Sequence, residues 1–180
     1  MALDGDAEVM RYLTGRARAR VEVLEEWLPV MTEDVGPGGL LGYWAGFLLD
    51  DWSQTPGHGA GITAFGTKRQ GQFVGWWCLT PAPEDPGHAE LGYRLRRDAW
   101  GHGYATEGAL AVLTHGFDAV GLEHVWAQTM AVNRASRAVM ERIGLEFERT
   151  WVGEWNEPLP GWERGEVAYG LTRQEWRARS

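Results

Sequence analysis

Residues 90–120 read ELGYRLRRDAWGHGYATEGALAVLTHGFDAV, and this stretch decides the fold. Leu91, Tyr93 and Leu95 alternate with Glu90, Gly92 and Arg94, the two-residue period of a strand. RRDAWGHG then makes a turn. Leu110, Leu113, Phe117 and Val120 follow on one helical stripe, and Gly121 stands where a left-handed residue closes a helix. A strand that feeds a helix through Trp100-Gly101-His102-Gly103-Tyr104-Ala105-Thr106 leaves backbone N–H groups pointing outward. The helix dipole adds positive charge at the same place, so an anion is favoured there. Each N–H given to a charged phosphate oxygen contributes about 1.5–3 kcal/mol. Glycine at 101 and 103 keeps any Cβ out of the anion's way.

Two phosphate loops fail the test of spacing. A P-loop ends in Gly-Lys-Ser/Thr, and Gly103 is followed by Tyr104-Ala105. A dinucleotide fingerprint needs Gly or Ala three residues after Gly103, where Thr106 stands, and no strand ending in an acidic residue follows at the required distance.

Outward from this segment, HVWAQTMAV reads as a second strand and Asn133 as the N-cap of RASRAVMERI, whose Val139, Met140 and Ile143 face one way before Gly144. LEFERTWVGEW and GEVAYGLT read as a closing hairpin. Upstream, GDAEVMRYLTG predicts a short helix capped by Asp6 or Asp4 and ended by Gly15. Ala17–Thr32 predicts a second, with Val21, Leu24, Leu28 and Met31 at helical spacing and Pro29 disturbing it. LGYWAGFLL fits a strand or a short buried helix. GITAFGT with FVGWWCLTP predicts a hairpin, and PAPEDPGH a loop. Trp76 and Trp77, adjacent on one strand, must face opposite sides of the sheet. The element order describes an α/β (α+β) layer with helices over a mixed sheet.

The chain of 180 residues fits one domain, 1–180, which buries roughly 70% of its unfolded surface. The single cysteine, Cys78, excludes an internal disulfide and a cysteine-based metal cluster, and its apolar setting predicts a buried, inert thiol. Five scattered histidines suggest no metal site. A net charge of −8 speaks against a nucleic-acid surface and suits cationic substrates. The start, MALDGDAEVM, has no signal-peptide pattern, and no stretch approaches a membrane span, so cytoplasmic is the expected location. The 11 tryptophans serve core packing or an aromatic cleft.

ELGYRLRRDAWGHGYATEGALAVLTHGF, NRASRAVMERIGLEFE and VAYGLTRQEW resemble the GNAT superfamily of N-acetyltransferases, in a match that covers about 71–177. Within it they resemble the RimJ/RimL-type ribosomal-protein N-terminal acetyltransferases. The resemblance implies a mixed, mostly antiparallel twisted sheet flanked by helices and acetyl-CoA as co-substrate. It implies that the pyrophosphate motif falls on Trp100, Gly103 and Ala105, with Trp in place of the usual Gln or Arg. Coenzyme contacts are then expected from Tyr93, Arg94, Leu95, Arg97, Trp100, Gly101, His102, Gly103, Tyr104, Ala105, Thr106, Asn133, Ser136 and Arg137. Asn133 would touch the pantetheine arm, Ser136 would lie near the sulfur, and an N–H within Tyr93–Leu95 would polarise the thioester carbonyl. Arg96, Arg97, Arg134 and Arg137 flank the two motifs, either as phosphate partners or as ordinary surface charge.

By the same resemblance Glu154 is the first candidate for general base; Glu90, at the head of the central strand, is the second. Either could equally be a solvated carboxylate. Relatives place a proton-donating Tyr where this chain has Met140, which leaves Ser136 as the remaining donor. Relatives also open with a strand that precedes the segment starting here at Ala2, so either the start is truncated or the sheet lacks its first strand, and residues 36–61 are expected to form an insertion or extended loop. Leu41–Leu48 is expected to fill the vacant sheet edge or to mediate a homodimer. The acceptor is then a primary amine, on a protein N-terminus or a small molecule. An aminoglycoside-type antibiotic drawn to Asp50, Asp51, Glu154 and Glu157, or a non-catalytic acyl-CoA-binding module, are the alternatives.

Overall fold

The computed structural model describes residues 3–32, 36–48, 71–153 and 158–179. Six strands, β1 (Gly42–Phe47), β2 (Phe73–Ala82), β3 (Asp85–Leu95), β4 (His124–Met130), β5 (Glu146–Trp151) and β6 (Glu166–Thr172), form one sheet in the order β1-β2-β3-β4-β6-β5. Among the described strands only β3 and β4 run parallel. The crossover between them is helix α2 (Tyr104–Thr114), which continues into a π-helical turn, His115–Val120. Helix α3 (Arg134–Arg142) links β4 to β5, and α4 (Arg173–Ala178) follows β6.

Helices α2 and α3 cover one face. Between them and the sheet lie Trp77, Leu79, Leu91, Leu95, Val112, Leu113, Phe117, Val125, Met140, Tyr169 and Leu171 in one cluster. Each fully buried Leu or Phe contributes about 1.5–3 kcal/mol. On the other face Trp76 and Cys78 pack with Leu3, Val9, Met31, Tyr43 and Phe73. Trp76 and Trp77 thus serve separate cores. Burial raises the Cys78 thiol to about 11, so it stays protonated at neutral pH.

Several local expectations are corrected. Residues 3–16 form hydrogen-bonded turns instead of a helix, although Asp6 does accept from the N–H groups of Glu8 and Val9. The second helix, α1 (20–31), has a π-helical centre, Val23–Trp27. Leu28 donates five residues back to Val23, just before Pro29, which has no N–H to give. Its apolar stripe is half-exposed at Val21, Leu24 and Leu28, and only Met31 joins a core. PAPEDPGH is not a loop: β2 and β3 pair down to Ala82 and Asp85 around Pro83-Glu84. The outer partner of β2 is Gly42–Phe47, and GITAFGT lies outside the described residues. Among the described residues, Gly42–Phe47 is therefore the edge strand on that side. Leu110 points outward, and the buried stripe of α2 runs through Gly108, Ala109, Val112, Leu113 and Phe117.

Candidate active site

The parallel pairing of β3 with β4 covers three residue pairs, His88 with His124, Ala89 with Val125 and Glu90 with Trp126. From Leu91 onward β3 is paired with β2 alone, while β4 turns away along β6. The strands therefore open a gap. The Arg96 N–H donates to the Val74 carbonyl at 2.8 Å, and backbone groups alternate sides along a strand. The N–H groups of Tyr93 and Leu95 consequently point into the gap. The indole Nε1 of Trp100 donates to the Leu95 carbonyl at 3.0 Å from that same side, closing the end of the strand onto the turn.

The turn has the geometry expected of an anion cradle. Gly101 and Gly103 hold φ of 78° and 86°, where a Cβ is strained. A Cβ built on either meets nothing within 4 Å, so the space before them is open. Gly103 is the N-cap of α2 and no side chain caps that end. The first backbone bond of the helix runs from the Glu107 N–H to Gly103, leaving the amides of Gly103, Tyr104, Ala105 and Thr106 without a helical acceptor. These groups fit a diphosphate. His102 stacks on Tyr104, with ring centroids 5.6 Å apart, and Arg97 stands exposed beside the turn. The first turn of α2 is fixed from below by the Trp77 indole, which donates to the Ala105 carbonyl at 3.1 Å.

Asn133 caps α3: its side-chain oxygen accepts from the Ser136 N–H at 3.3 Å while its amide donates to the Thr129 hydroxyl at 3.0 Å. Arg134 is exposed at that helix end, but the Arg137 guanidinium is tied to the Ala131 carbonyl and the Tyr169 hydroxyl, and Arg96 to Asp98 and the Phe73 carbonyl. Of the four arginines, Arg97 and Arg134 face solvent. Met140 is 2% exposed and belongs to the core. One hydroxyl was not singled out from the sequence: Tyr93 Oη lies 2.9 Å from Ser136 Oγ and 3.0 Å from the Ser136 carbonyl. Burial raises this phenol to about 12.

Glu90, Gly92 and Arg94 project to the opposite face. Glu90, at the mouth of the gap, is raised above the ordinary carboxylate range, chiefly by burial. The Gln128 side chain hydrogen-bonds it and pulls the other way, and Glu166 adds like charge. Glu166 also escaped the sequence reading. The alternation of Val167, Tyr169 and Leu171 into the helix-side core was the signal that puts it on Glu90's face. The Arg94 guanidinium is buried against Asp4 on that second face, away from the turn. Glu154, with Glu157, Asp50 and Asp51, lies outside the described residues. Among the described residues no group of His, Cys, Asp and Glu could hold a metal ion, and no helix is long and apolar enough to cross a membrane.

Comparison with known proteins bears on this geometry. Residues 1–146 match the family model of the acetyltransferase (GNAT) domain. The FsC-acetyl coenzyme A-N(2)-transacetylase of Aspergillus fumigatus is 37% identical over 186 residues, covering 98% of this chain and 69% of that protein. YkkB of Bacillus subtilis is 34% identical over 117 residues, 63% of this chain and 67% of that one. The crystal structure of a GNAT-family acetyltransferase from Bacillus anthracis aligns with a TM-score of 0.65 over 97% of this chain and 87% of that chain, at 20% identity, a likeness of fold. With a family match along most of its length and the same mixed sheet, the chain belongs to the GNAT family of acetyltransferases and is an acyltransferase.

Proposed function

We propose that this protein moves an acetyl group from acetyl-CoA to a primary amine of a small molecule, by direct attack within a ternary complex. The observation that carries the reading is the junction at Glu90 and Trp126. There the sheet opens, strand amides turn inward and a carboxylate with a raised pKa stands at the mouth.

Acetyl-CoA supplies the activated acyl group. The amides of Gly103, Tyr104, Ala105 and Thr106 hold its diphosphate. The N–H groups of Tyr93 and Leu95 bind the arm and polarise the thioester carbonyl; one such preorganised donor contributes roughly 3 kcal/mol. Glu90 takes the proton that the amine must lose. Its raised pKa, reached through burial and the neighbouring Glu166, brings it nearer the operating pH of a base. The same two carboxylates favour a cationic acceptor. The Aspergillus relative carries acetyl coenzyme A and a nitrogen position, N(2), in its name, which supports acetyl transfer to a nitrogen.

Calorimetry with acetyl-CoA, followed by thiol release on a panel of α-amines, polyamines, aminoglycosides and N-terminal peptides, tests this. Binding of acetyl-CoA and turnover on a small amine are expected. Absence of binding by both acetyl-CoA and CoA removes the reading, and turnover confined to peptides moves the acceptor to a protein N-terminus.

A further inference from the structure

The sheet's opening separates two faces, and the groups with exchangeable protons stand one on each. Glu90 and Tyr93 lie three residues apart on β3, about 10 Å along the strand, and alternation sends their side chains to opposite faces. Glu90 shares its face with Gln128 and Glu166, while Tyr93 packs against the helix-side core and reaches across to Ser136 at the start of α3. Among the described residues, the sheet opens between the two faces where β4 has diverged from β3.

Resting on the reading above, we propose that Tyr93 is the catalytic acid of this enzyme: its hydroxyl, paired with Ser136, protonates the departing coenzyme sulfur on the helix side of the gap. The amine approaches from Glu90's face. Its nitrogen lone pair forms the C–N bond, the C–S pair leaves with sulfur, the nitrogen's surplus proton passes to Glu90, and the Tyr93 Oη proton passes to the thiolate. Glu90 then releases its proton to water and the tyrosinate regains one, so the products are an amide and free CoA thiol. The Tyr93 hydroxyl is already held by Ser136 Oγ and the Ser136 carbonyl, which fixes its reach without a ligand. Met140, buried in the core, supplies no competing donor. The phenol, lifted to about 12, stays protonated through the working range.

Tyr93→Phe keeps the ring and removes the proton. The experiment measures CoA thiol release from acetyl-CoA, both with the accepted amine and with water alone as slow acceptor. Acetyl-CoA affinity is measured by calorimetry and folding by thermal melting. The expected result is a fall in kcat of about 100-fold with both acceptors, with affinity and melting temperature essentially unchanged; Ser136→Ala should show a smaller loss. A kcat within twofold of wild type overturns the proposal. So does a loss of affinity matching the loss of rate, which makes Tyr93 a wall of the slot. If the wild-type protein binds acetyl-CoA yet releases no thiol under any condition, the transferase reading fails on its own account and the acid role goes with it.

Discussion

The ring of Trp77 lies where a side chain on Gly108 would stand: a Cβ there comes within 2.3 Å of the indole. The same indole donates to Ala105, so one tryptophan sets both the height and the rotation of the helix that presents the anion cradle. Gly108→Ala therefore forces the first turns of α2 off the sheet. Overpacking of this kind costs about 1–3 kcal/mol, and here it also displaces the amides of Gly103 to Thr106. Urea titration should show reduced stability, and calorimetry a matching loss of acetyl-CoA affinity.

At the turn itself no neighbour resists a side chain, so the cost of Gly103→Ala comes from its φ of 86°, about 1–2 kcal/mol for a residue with a Cβ. The added methyl also occupies the space in front of the amides. Affinity for acetyl-CoA should fall at least tenfold while kcat at saturation changes little. A variant with wild-type affinity would place the diphosphate elsewhere.

Glu90 is expected to govern the acid limb of the rate profile. Because its folded pKa is raised, the carboxyl form favours the fold at low pH, and that contribution is lost as pH rises through the folded pKa. The carboxylate that the proposed mechanism uses appears over the same interval, above the ordinary value of 4.5. Glu90→Gln should lower kcat by about 100-fold or more and abolish the acid limb. It should also raise stability at neutral pH relative to wild type, with no gain at pH 4. A pH–rate profile and parallel denaturation series check both signs.

Asp4 and Arg94 form a buried pair on the second face, with side chains each 8% exposed. Asp4→Asn leaves a guanidinium buried without its counter-charge, and breaking such a pair costs about 3–5 kcal/mol. The melting temperature should fall markedly. A double variant, Asp4→Asn with Arg94→Met, should recover part of the loss.

Much of this architecture could be read from the chain because local chemistry and global packing agree. Asn133, the strand period at 90–95 and the opposed pair Trp76 and Trp77 each behave as their neighbours dictate. Leu110 did not, for a reason two strands away. Trp77 fills the space under α2, so the inward face of that helix needs Gly108 and Ala109, and the larger Leu110 turns out. PAPEDPGH looked like a loop because proline lacks a donor, yet a two-residue turn suffices between strands that pair down to Ala82 and Asp85. The partner of β2 was missed because strand pairing over that distance leaves no local trace. The contact of Tyr93 with Ser136 spans 43 residues, and only the folded chain reveals it. Glu90's raised pKa likewise comes first from burial, which only the folded packing sets, with a further contribution from the like charge of Glu166, far along the chain.

The three residue pairs that join β3 to β4 also make the sheet two three-stranded blocks, β1-β2-β3 and β4-β6-β5, sharing a short seam. A ligand arm that accepts from the amides of Tyr93 and Leu95 lengthens that seam from one side. On the proposed reading, occupancy and mechanical cohesion would become a single event: the bound arm would serve as a temporary length of sheet, and product departure would reopen the joint.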